Sequence, residues 1–278
     1  MNEVVFLSLF VLLFIRVVGL GISVDFYFRS HTLKFTIFTL GWLLWFFAGI
    51  FPFLSDITYN SLLKELFLVI NGLLASIGAL IIFLGIIYNF KYIQLKIVIL
   101  LCIIIIIFTI LLAILINSRT AIAFSFIIVE ISILSLGFLH LIKGRSFIEF
   151  IGKSINWYYL TLIFVILLTV ISIFQFLKGY PYGLYFSDDY TAVFLNYFTG
   201  IGVTILILIF FIHYEYNILK QRQLELKDIY SHDLGNILQA ILSATEVMKL
   251  DKDQDLMQLI REKSEEAAQL ITKIRQLE

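Results

Sequence analysis

Hydrophobic positions along this chain follow two different rules, and the change comes near residue 212. Before it, apolar residues form runs of about the 20 residues that a bilayer core demands. These runs lie near 4–22, 35–53, 66–88, 97–116, 121–141, 157–177 and 193–212. Seven such runs predict seven transmembrane helices. Beyond residue 212 the apolar positions thin out into a stripe. From Tyr230 onward Leu234, Ile237, Ile241, Ala244 and Met248 follow at spacings of 4,3,4,3,4, the signature of a coiled-coil seam. The pattern breaks at Asp251-Lys252-Asp253-Gln254-Asp255, whose acidic residues suit the start of a new helix. A second stripe then runs through Leu256, Ile260, Lys263, Ala267, Leu270, Ile274 and Leu277. Between residue 212 and Leu226 neither Gly nor Pro interrupts the chain, so the last span is expected to continue as helix into the tail.

The expected fold is therefore all-α, with residues 1–212 as a seven-span membrane domain and 213–278 as a signalling helix leading into a helical hairpin. One narrow stripe per helix buries little core. Two hairpins paired as a four-helix bundle bury more, which predicts a homodimer.

Composition sharpens this picture. The chain is 61% hydrophobic and only 14% charged, with mean hydropathy +1.00, which excludes an ordinary soluble domain. Residues 213–278 hold nine Lys/Arg against twelve Asp/Glu, leaving eleven against eight for the rest. Neither part is basic enough to point to nucleic acid. The single cysteine, Cys102, lies in an apolar run and excludes an internal disulfide or a thiolate metal cluster. Glu3 stands where a cleavable signal peptide would carry positive charge.

Orientation follows from Lys and Arg in the short loops. The first, third and fifth loops carry Arg29, Lys34, Lys91, Lys96, Lys143, Arg145 and Lys153; the others carry Lys64, Arg119 and Lys178. Seven against three predicts a multi-pass protein of the cell membrane with its N-terminus outside and its C-terminal tail in the cytoplasm.

The tail holds the one stretch with a chemical signature, Ser231-His232-Asp233-Leu234-Gly235-Asn236. His232 falls off the seam, so its imidazole is expected to face solvent or a docking partner. Asp233 is beside it and Asn236 lies one helical turn along. An unperturbed imidazole titrates near neutrality, a neighbouring carboxylate raises its basicity and fixes its tautomer, and an amide orients water without titrating. The stretch resembles the phosphoacceptor box of histidine protein kinases, in which His is followed directly by an acidic residue and, four positions after it, by Asn or Thr. The resemblance covers roughly residues 213–278. It implies that His232 attacks the γ-phosphate of ATP, that Asp233 acts as base on the imidazole, and that Asn236 positions water for dephosphorylation. It further implies transfer of the phosphate to an Asp of a response regulator. The family's box usually carries Pro after the Asn/Thr position, where this chain has Ile237. Gly235, which costs about 1 kcal/mol of helix propensity relative to Ala, is a local source of flexibility instead.

None of the Asn-containing and Gly-rich boxes that bind Mg-ATP in that family is present. The chain is expected to bind no cofactor itself, with ATP and Mg2+ held on a missing or separate kinase domain. The rival reading is a non-enzymatic membrane receptor or transporter whose tail only dimerises.

Two charges fall within spans. Glu130 is near the centre of the fifth, and Arg16 lies slightly to the cytoplasmic side of the centre of the first. Each costs about 2.5–3.5 kcal/mol on insertion scales if left alone. At similar depths they could pair, as a structural clasp or as part of a ligand site. Alternatively Arg16 snorkels to the interface while Glu130, as the neutral acid, bonds a hydroxyl such as Thr109. Retinal would require a Lys in the last span, which has none. Haem would require His at depth, whereas His31, His140 and His213 sit near span ends. Pro52 and Pro181 are both expected at outer ends or loops. In the sixth loop Tyr180, Tyr182, Tyr185 and Tyr190 surround Asp188 and Asp189. An interfacial aromatic belt is the favoured reading of that loop, and a ligand mouth the alternative.

Overall fold

The computed structural model describes residues 3–87, 95–143, 154–177, 190–248 and 254–275. Of these, 97% are helical and none lies in a strand. Eight helices occur among the described residues: α1 Glu3–Ser30, α2 Leu33–Ile57, α3 Ser61–Ile87, α4 Leu95–Leu115, α5 Ser118–Lys143, α6 Ile155–Leu177, α7 Tyr190–Met248 and α8 Gln254–Arg275. The chain divides into two compact units, residues 1–212 and 213–278. The sixth loop with its tyrosines and Asp188/Asp189, the third loop with Lys91, and the acidic break at 251–253 lie outside the described residues.

Helix ends are set by local chemistry. His31 ends α1 with φ 49°, a left-handed conformation in which its N–H donates to the Tyr27 carbonyl at 2.8 Å. Asn60 starts α3, its Oδ1 accepting from the backbone N–H of Leu62 at 3.0 Å and Leu63 at 3.3 Å. Asn117 does the same for α5, accepting from Thr120 N–H at 2.7 Å. α1 continues eight residues past the apolar run that announces it, carried by an Arg29–Asp25 contact at 2.9 Å one turn apart. Pro52 lies inside α2 near its C-terminal end, as expected of a span end, and is buried, with the helix running on to Ile57. Apolar packing around Pro52 outweighs the one backbone hydrogen bond it cannot donate.

Six helices, α1, α2, α3, α5, α6 and α7, are long and apolar enough to cross a membrane, and α4 is a further apolar helix. Their outward-facing side chains are hydrocarbon too: Phe10 and Phe14 on α1, Ile103 and Ile107 on α4, Val170 and Phe174 on α6. Such a surface is unfavourable in water and suits a bilayer.

In the first unit α3 packs on α2 and α5, α1 packs on α2, and α4 and α6 pack on α5. The α2–α3 crossing is close because both helices present glycine. A Cβ at Gly41 would lie 2.7 Å from the Ile82 backbone nitrogen, and one at Gly78 would lie 3.0 Å from the Gly41 oxygen. Small residues let backbones approach where lipid offers no hydrophobic drive for helix association. Around this crossing Phe38, Trp42 and Phe211 are fully buried, with Phe38 and Phe211 stacked at 3.7 Å. Polar links cross between helices as well. Ser76 meets Ser125 at 3.3 Å, and the Tyr158 hydroxyl donates to the Gly137 carbonyl at 3.2 Å.

In the second unit burial follows the stripe. Ile237, Ala244 and Ala267 are buried and Tyr230, Leu234, Ile241, Ile260, Lys263, Leu270 and Ile274 are half-buried, while nearly all positions between them are exposed. Leu226, before the stripe in sequence, is exposed.

Candidate functional site

His232 lies within α7 on the side away from the stripe. Its side chain is 76% exposed and that of Asp233 is 53% exposed. The imidazole Nδ1 is 3.2 Å from the Asn236 side-chain nitrogen and 3.7 Å from Asp233 Oδ1. Both polar neighbours therefore sit at the same ring nitrogen, and neither is recorded at Nε2. This follows from helix geometry, because residue i+4 stacks over residue i and residue i+1 flanks it.

The tautomer decides what this arrangement can do. If Asn236 donates, Nδ1 holds the lone pair and Nε2 the proton. If the Asp233 carboxylate accepts from Nδ1–H, the lone pair moves to the exposed Nε2, which becomes the nucleophile. The chain contains an internal control. His213 Nδ1 lies 3.3 Å from the Asn217 side-chain nitrogen, the same i,i+4 pair. There the next residue is Tyr214 and the pair is half-buried. A His–Asn contact alone is thus ordinary helix geometry, and the adjacent carboxylate with the open ring edge distinguishes His232. Gly235 adds no visible break. α7 is helical through it, and a Cβ there would meet nothing within 4 Å.

The charges inside the first unit are arranged differently from the predicted pair. Arg16 and Glu130 are 8% and 5% exposed, yet no hydrogen bond or ion pair joins them among the described contacts. Arg16 Nη1 donates to the Trp45 carbonyl at 2.9 Å, and its guanidinium lies 4.9 Å over the Trp45 ring. Gly49 makes this possible, since a Cβ there would lie 3.2 Å from Nη1 and 2.9 Å from Leu13 Cδ1. Arg16 is turned inward and does not snorkel outward.

Glu130 Oε1 accepts from the Ser172 hydroxyl on α6 at 3.2 Å. Thr109, the hydroxyl considered from the sequence, donates to its own helix at Ile105 O, 2.7 Å. Arg16 and Glu130 do share one feature: both line a cavity of about 130 Å3 inside this unit. Trp45, Gly49 and Ser172, which hold these charges, carry no sequence signal that singles them out from many similar residues in the spans.

The chain matches no described protein family, no curated protein and no solved structure.

Proposed function

We propose that this protein is a membrane sensor histidine kinase of a two-component system, with His232 as its phosphoacceptor. The observation that carries the reading is the open Nε2 edge of His232 with a carboxylate and an amide both at Nδ1. In the proposed reaction Asp233 holds the Nδ1 proton. The Nε2 lone pair attacks the γ-phosphorus of ATP, the bond from that phosphorus to the β,γ-bridging oxygen breaks, and ADP leaves. The resulting P–N bond is then broken by a carboxylate oxygen of a response-regulator Asp, returning the imidazole. Asn236, free of titration, positions water for the competing hydrolysis. ATP and Mg2+ are presented by a kinase domain outside these residues, so His232 must be reachable, as its exposure allows.

The membrane part of the proposal has seven spans. α4, at 21 residues and about 1.5 Å per residue, reaches across a hydrocarbon core of about 30 Å. The excess of Lys and Arg in alternate loops places the N-terminus outside and His232 in the cytoplasm. The tail is proposed to dimerise as a four-helix bundle. One chain leaves most of the described stripe only half-buried, and Leu238 and Leu242 beside it are exposed.

The roles are tested by labelling native membranes with γ-phosphate-labelled ATP and comparing variants. Asp233→Asn is expected to slow labelling, while Asn236→Ala is expected to leave labelling intact and prolong the phosphorylated state. Equal labelling of wild type and His232→Gln would overturn the proposal.

A further inference from the structure

The cavity in the first unit has a use that the phosphoacceptor reading does not assign. Its walls are mostly hydrocarbon, including Leu9, Phe83, Val129 and Phe210, with Arg16 and Glu130 also lining it. Glu130 Oε1 is taken by Ser172, but Oε2 is buried and has no hydrogen-bond partner among the described residues. A buried carboxyl oxygen left without a partner is costly, so the site is short of one hydrogen-bonding group. The volume of about 130 Å3 is slightly below the roughly 150 Å3 of an engineered apolar cavity that takes benzene.

We infer that this cavity binds a small, uncharged, mostly hydrocarbon molecule with one hydroxyl, of about the size of phenol, whose hydroxyl pairs with Glu130 Oε2. Wall chemistry selects against an ion, because a charged ligand would give up its hydration among mostly hydrocarbon side chains without enough polar partners to replace it. Size and wall chemistry select against a sugar or a peptide, whose polar groups would find too few partners.

Gly200 supplies a clean test. It lines the cavity, and a Cβ built on it meets nothing within 4 Å, so a side chain can start there in open space and extend toward the cavity. The full chain in lipid nanodiscs would be titrated with 4-fluorophenol and with fluorobenzene by fluorine NMR relaxation, with empty nanodiscs as the baseline for partitioning. The expected result is saturable 4-fluorophenol binding above that baseline, displaced by phenol, and at least about tenfold weaker binding of fluorobenzene. Gly200→Leu should abolish the saturable signal, and Glu130→Leu should erase the preference for phenol over benzene. If Glu130→Leu fails to fold, the wild-type phenol-to-benzene ratio and Gly200→Leu decide. Signals no greater than in empty nanodiscs, equal affinity for the two probes, or undiminished binding in a folded Gly200→Leu would each overturn the inference. Because the readout is binding, its failure leaves the phosphoacceptor proposal standing, and the reverse also holds.

Discussion

Glu130 in the first unit and Asp233 in the second are both carboxylates beside a polar side chain, and they are treated in opposite ways. Glu130 is 5% exposed, bonded by Ser172 from another helix, and lines a mostly apolar cavity. Asp233 is 53% exposed, and its neighbours His232 and Asn236 come from its own helix. A partner supplied by a different helix ties the group to the packing of the whole unit. A partner supplied one turn away comes with the helix and leaves the group open to a reacting molecule. The first arrangement suits structure or binding, and the second suits group transfer.

The sharpest way to break this comparison is His232→Gln. It is expected to remove all phosphate labelling of the chain while leaving the thermal unfolding of the membrane unit unchanged, since among the described residues its polar partners, Asp233 and Asn236, lie on its own helix. Next in size is Gly41→Val, which forces a side chain against the Ile82 backbone and is expected to destabilise the first unit by roughly 1–3 kcal/mol, or to prevent its assembly. Unfolding in mild detergent would measure it. Ser172→Ala removes a hydrogen bond to Glu130 and is expected to cost about 1 kcal/mol by the same measurement, given the modest worth of such bonds within membranes. Leu242 is 64% exposed in one chain. If a second copy covers it, Leu242→Arg should convert a dimeric tail to a monomer by light scattering without loss of helicity. The smallest effect belongs to Gly235→Ala. Its Cβ enters open space in mid-helix, so the tail should gain about 0.4–1 kcal/mol in thermal unfolding.

Much of this architecture was legible in the residues, for separable reasons. The long apolar runs announce helices because a bilayer tolerates little else. The stripe from Tyr230 to Ala244 is readable because a 4,3 alternation is specific to one helix face, and burial in the tail follows it. His232 lies off that face, so its exposure was legible from the same spacing. What stayed hidden depends on how helices are rotated against one another, which hydropathy does not encode. Thr109, Thr161, Thr169, Thr199 and Thr204 all bond carbonyls of their own helices four residues back, while Ser172 turns to Glu130. Nothing local marks Ser172 as different. Depth alone suggested that Arg16 and Glu130 meet. The Trp45 carbonyl and ring, opened by Gly49, capture the guanidinium instead.

The most direct test of the central claim is to locate phosphate on the protein taken from its native membranes under neutral conditions, by fragmentation that preserves P–N bonds. The account predicts phosphate on His232, lost in acid and retained in alkali, as a phosphoramidate behaves. Acid-stable phosphate on a hydroxyl residue, or an unmodified His232 under conditions that label its response regulator, would contradict it.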